Sequence, residues 1–169
     1  MGPSPTTRWT LIRDAAGGSG SGQEAFALRY EPAVRAYLAA RWKGTALLQD
    51  VDDAVQEVFV DCFKPEGVLE RVKEGWPGGF RAYFYGVVRN AARMAERKRA
   101  RQRVHPARET FGGDRLPADE EGLSTVFDRA WSVAMLREAG DHQAALAAEQ
   151  GDGAVRRVEL LRLRFREGK

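Results

Sequence analysis

One helix-length segment, VDDAVQEVFVDCF at residues 51–63, limits the fold more than any other part of the chain. At about 100° per residue, Val51, Ala54, Val55, Val58, Phe59 and Cys62 fall on one face. Asp53, Gln56, Glu57 and Val60 fall on the opposite one. The spacing predicts an amphipathic α-helix seated on a core, with Asp50 as its cap and Asp52 and Asp53 at its positive N-terminal end. Cys62 reads as a small buried hydrophobe rather than a nucleophile. Val60, an apolar residue among acids, marks a contact surface or is an ordinary exposed valine.

The same spacing recurs elsewhere, and alternating strand patterns never persist. The expected class is all-α. A short helix fits 7–16, and GGSGSG at 17–22 reads as a flexible turn. A helix over 23–43 carries Phe26, Tyr30, Val34, Tyr37 and Leu38 on one stripe, and Pro32 is expected to distort or split it. Residues 64–79 read as a loop with one helical turn, in which Trp76 is poorly placed for burial. From Phe80 a further helix has Phe80, Phe84, Val87, Ala91 and Met94 as its stripe. Val88 and Ala95 lie on one flank and Tyr83 on the other, while Tyr85, Arg89, Arg93 and Glu96 face away. Prolines, glycines and mixed charges mark 104–123 as a linker. Helices at 124–149 (Phe127, Ala130, Trp131, Ala134, Met135) and 153–166 (Val158, Leu161, Phe165) follow, with Gly140 and Gly151 as interruptions. The expected organisation is thus a domain of about four helices over 1–103, the linker at 104–123, and a helical extension over 124–169.

Charge is uneven. The net charge is +3, yet residues 81–108 hold nine basic side chains against the single acid Glu96, so the rest of the chain is net acidic. Such a concentration points to a polyanion partner. The alternative is a solvated helix end whose cations complement the helix dipole.

Catalytic motifs are missing from the sequence. Two histidines, His105 and His142, and one cysteine are too few for a His/Cys zinc cluster. No nucleophile elbow, phosphate loop or dinucleotide fingerprint occurs. Asp52, Asp53, Glu57 and Asp61 offer the one acidic face on which a metal-dependent enzyme could be built, and a solvated or protein-contacting face is the simpler account. The expectation is a non-enzyme without cofactor or metal. No apolar run could span a membrane, the N-terminus has no apolar signal core, and one cysteine allows no internal disulfide. These features suit the cytoplasm.

Read together, DVDDAVQEVFVDCF and FRAYFYGVVRNAARMAERKRARQR resemble region 2 of bacterial sigma-70 family factors, most closely the extracytoplasmic function (ECF) group. The matching residues are Asp53, Ala54, Gln56, Glu57, Val58 and Phe59, then Phe80, Arg81, Tyr85, Arg89 and Asn90, then the basic cluster at 97–103. The likeness extends over residues 6–103, with TTRWTLI at its start, and less closely over 124–168. Tyr83-Phe84 stands where the family has Trp-Leu, and GWPGGF replaces its usual loop. RVELLRLRFREGK is similar to the start of region 4, without the turn and recognition helix that read a −35 element.

The resemblance implies a transcription-initiation subunit that binds RNA polymerase core through the β′ coiled-coil and opens the promoter −10 element, with no catalysis of its own. An anti-sigma factor is a further candidate partner. Asp53, Gln56, Glu57 and Val60 would dock on polymerase, with the acids steering toward basic residues. Separating DNA strands costs on the order of 1–2 kcal/mol per step in lost stacking, and aromatic faces return about 1–3 kcal/mol per base. Trp76, Tyr83 and Tyr85 would hold unstacked bases of the non-template strand, and Asn90 a base edge. Arg89, Arg93, Arg97, Lys98, Arg99 and Arg101 would contact phosphates, with Arg81 beside them. A non-sigma helical nucleic-acid-binding protein with a basic helix is the alternative reading.

Overall fold

The computed structural model describes residues 8–102 and 119–166. It is all-α, with no strand among the described residues. Two compact units divide the chain, one running to Trp131 and the other beginning at Ser132. No described helix is long and apolar enough to cross a membrane.

The first unit contains α1 (Trp9–Ala16), α2 (Gly20–Arg41), a 3-10 turn (Ala46–Asp50), α3 (Val51–Phe63), α4 (Val68–Arg71), α5 (Gly79–Gln102) and the opening of α6 (Glu120–Gln150). Its core is aromatic. The Phe26 ring on α2 lies 4.5 Å from that of Tyr30, 6.2 Å from Phe59 on α3, and 6.0 and 5.8 Å from Phe80 and Phe84 on α5. Edge-to-face and tilted pairs of this kind add to simple burial, because ring edges and faces carry opposite partial charge.

Several local expectations are corrected. The GGSGSG stretch is not a loop throughout. Ser19 caps α2, its hydroxyl accepting the Gly22 N–H at 3.2 Å. A Cβ on Gly22 would lie 2.9 Å from Asp14, so glycine here lets α2 approach α1. Pro32 does not split its helix. α2 runs unbroken through it, because Tyr30, Ala33 and Val34 on either side are buried. Asp50 makes no side-chain cap on α3. The 3-10 turn runs straight into that helix, and the Asp50 carboxylate instead accepts from Arg99 at 3.1 Å.

The α3 face is as read, with Val51, Ala54, Val55, Val58, Phe59 and Cys62 buried. On α5 the buried line is Phe80, Phe84, Val88 and Ala92. Val88 belongs to the core rather than to a flank, and Met94 is 65% exposed. The buried residues keep a strict four-residue spacing, and that line excludes Met94. Glu96, expected to face away, is a largely covered ion-pair partner of the buried Arg41. Tyr85 is half-buried, its ring 5.5 Å from Tyr37 and 5.2 Å from Phe127.

α6 begins at Glu120, earlier than position 124. Asp119 caps it, accepting the Gly122 N–H at 2.8 Å. Leu123, Phe127 and Trp131 from this opening are buried in the first unit. The rest of the expected linker, 104–118, lies outside the described residues, and with it His105 and, just before it, Arg103.

The second unit is a helical hairpin made by the rest of α6 and α7 (Asp152–Arg166). α6 continues through Gly140. It stops at Gly151, whose φ of 97° is a left-handed turn that glycine adopts without strain. Arg162 and Asp141 pair across the hairpin at 3.2 Å. Val133, Leu136, Ala139, Val158 and Leu161 line an open groove of about 840 Å³ between its two arms. The side chain of Phe165 lies outside the described residues.

Candidate nucleic-acid interface and docking face

α5 carries most of the candidate residues, and its packing sorts them. Because Phe80, Phe84, Val88 and Ala92 turn inward, the opposite side of the helix faces out. Asn90, Met94, Arg97 and Arg101 fall within about 60° of one another on that side, and the half-buried Tyr83, on the flank of the core line, stands in line with them along the helix. Asn90, Met94, Arg97 and Arg101 are exposed, as is the neighbouring Lys98. From Tyr83 to Arg101 the row spans roughly 27 Å of helix.

Trp76 extends the row at its N-terminal end. Its ring meets Tyr83 edge to face at 4.8 Å and remains 43% exposed. The Tyr83 hydroxyl donates to the Val68 carbonyl at 2.7 Å, which fixes the ring. Burial raises the Tyr83 pKa, so the phenol stays protonated and keeps that bond.

The other candidates face neighbouring elements of the fold, all but Arg99 on the flank that meets α6. Arg81 forms an ion pair with Asp128. The Tyr85 hydroxyl donates to Glu120 at 3.4 Å, and Arg93 reaches the same carboxylate at 3.5 Å. Arg89 is half-buried near Glu120. Arg99 pairs with Asp50. The candidates assigned to DNA thus form an outward row and a second group, mostly paired with acids of the fold, not one continuous surface.

Beneath that flank sits a polar cluster that the sequence did not reveal. Arg41 is only 5% exposed. It donates to Glu96 through Nε at 2.5 Å, to Glu120 at 2.9 Å and to the Tyr37 hydroxyl at 3.1 Å. The Trp42 indole donates to Glu96 at 3.0 Å. The hydrogen bond from Arg41 holds the Glu120 carboxyl below its usual range. Burial pushes the Tyr37 phenol up to about 12. These partners are far apart in the chain, so no local motif announces them.

On α3, Asp53, Gln56, Glu57 and Val60 are all exposed, with Val60 at 64%. A firmly seated helix therefore presents two acids, an amide and a valine together. The neighbouring acids are occupied, Asp52 by Arg35 and Asp61 by Lys64. Among the described residues no three His, Cys, Asp or Glu side chains converge as metal ligands. Cys62 is buried, and burial pushes its thiol up to about 12. His142 is exposed.

No family model, curated protein or solved structure matches this chain.

Proposed function

We propose that this chain is a promoter-recognition subunit of the sigma-70 type, similar to the ECF group. α3 docks on the β′ coiled-coil of RNA polymerase core through Asp53, Gln56, Glu57 and Val60. α5 holds the non-template strand of an opened −10 element. Trp76 and Tyr83 offer ring surface to unstacked bases, Asn90 an amide to a base edge, and Arg97, Lys98 and Arg101 charge to phosphates. Arg81, Tyr85, Arg89, Arg93 and Arg99 are reserve contacts whose use requires side-chain rearrangement.

The carrying observation is the outward row on α5. It brings one helix-borne ring, Tyr83, an amide and several cations into line on one helix, with Trp76 from the preceding loop set against that ring, the combination that strand binding requires. Met94 adds an exposed thioether to that row, an adaptable apolar contact for a base. The docking role of α3 is supported by its exposed mixed face.

The test is binding to bacterial core RNA polymerase, with Gln56→Ala/Glu57→Lys as the paired variant. Nanomolar binding that the double change destroys is the expected result. Failure of the folded chain to bind core would overturn the sigma reading. Oligonucleotide binding without core binding would instead identify a non-sigma nucleic-acid-binding protein.

A further inference from the structure

The opening turns of α6 place acids on the basic helix. Leu123, Phe127 and Trp131 are buried, and the Trp131 ring packs 4.8 Å from Tyr30. This seating holds two carboxylates of the same helix against α5. Asp128 takes Arg81. Glu120 takes Tyr85 and Arg93, and its charge also acts on Arg89.

The two carboxylates differ in anchorage. Glu120 is bound to the buried Arg41 at 2.9 Å. Asp128 and Arg81 both retain solvent access, with side chains 47% and 38% exposed. Asp128 is therefore free to swing away while Phe127 and Leu123 keep the helix in place.

We propose that Asp128 and Glu120 are a built-in mimic of a nucleic-acid backbone. They occupy Arg81, Tyr85 and Arg93, and a strand gains those contacts only by displacing the carboxylates. The proposal rests on the reading of α5 as a strand-binding helix. Carboxylate and phosphate suit the same guanidinium fork, since each presents paired acceptor oxygens. An acid tethered on the same chain competes at high effective concentration. Weak or brief encounters with polyanions are thereby disfavoured, while a strand held by the outward row can exchange in.

The experiment uses the whole chain and a fluorescein-labelled single-stranded DNA oligonucleotide. Anisotropy is followed between about 50 and 200 mM salt. Asp128→Asn removes the exposed acid without touching the Arg41 cluster, and thermal melting checks that the fold is unchanged. Affinity at low salt is expected to rise about two- to fivefold, the equivalent of one exposed ion pair. The slope of log affinity against log salt is expected to steepen by about 0.7, because one more cation reaches phosphate. Arg97→Ala/Arg101→Ala, on the outward row, is the paired variant and should weaken binding. Unchanged affinity and slope in Asp128→Asn, with the paired variant weakened, overturns the mimic and leaves α5 a strand-binding helix. If the parent chain does not bind, or the paired variant binds as well as the parent, the reading of α5 fails and the mimic fails with it.

Discussion

Glu96→Ala is expected to be among the most damaging substitutions on α5, although it replaces a surface-type residue with the best helix former. Glu96 accepts two hydrogen bonds from Arg41, at 2.5 and 3.1 Å, and one from the Trp42 indole at 3.0 Å. The Arg41 and Glu96 side chains are 6% and 9% exposed. Removing one member of a buried pair leaves an ion without compensation, which costs about 3–5 kcal/mol. Arg41 retains Glu120 and Tyr37, so the lower end applies, about 3 kcal/mol. With a slope of about 1–3 kcal/mol per molar urea, the unfolding midpoint should fall by about 1–3 M. Far-UV circular dichroism during a urea titration reads this directly. Arg41→Ala/Glu96→Ala closes the cycle and should cost much less than the sum of the single changes, because no unpaired charge remains. A loss in Glu96→Ala below about 0.5 kcal/mol would place the pair in the range of solvated surface bridges and refute the reasoning.

Gly22→Ala should destabilise by about 1–3 kcal/mol, measured by the same titration, because its new Cβ would meet Asp14 at 2.9 Å. Cys62 should resist a thiol-disulfide reagent at pH 8 until denaturant is added, since burial holds its thiol up at about 12; fast labelling of the folded chain would show the packing to be looser. Glu120 has a lowered pKa with Arg41 as the main cause. Its contribution to stability is therefore present above the ordinary glutamate range and lost as pH falls through its depressed value. Glu120→Gln should accordingly show a shallower loss of stability than the parent chain on acid titration.

Seated faces were the legible part of the sequence. The buried and exposed sides of α3 follow from one helical period, because a single core lies on a single side of it. α5 was harder to read, because two periodic lines compete there. Phe80–Phe84–Val88–Ala92 and a broader stripe ending at Met94 are both plausible by hydrophobicity. Only the position of the Phe26 cluster decides between them. Helix interruptions were over-read at Pro32 and Gly140, where packing and helix length override local propensity. The Arg41 cluster was invisible for a different reason. Its members, at 37, 41, 42, 96 and 120, meet only after folding, and buried ion pairs have no sequence period. The clearest lapse was Glu96. Its helical position beside Tyr85, Arg89 and Arg93 reads as outward-facing, yet its isolation as the single acid in a basic run is what a counter-ion to a buried arginine would also produce.

That isolation bears on how one helix can serve both stability and binding. α5 supplies the core line of the first unit and also its densest positive charge. Like charges along one helix repel, and a core helix cannot relieve the strain by bending away. The described structure places acids where the cations lie nearest the core. Glu120 takes Arg93, Asp128 takes Arg81 and Asp50 takes Arg99. Arg97, Lys98 and Arg101 are exposed, where solvent screens their repulsion. The cations nearest the core are thus paired within the fold, and the outer ones face solvent. On the proposed reading, first capture belongs to the outer row, and the inner cations become available only as their carboxylates are displaced.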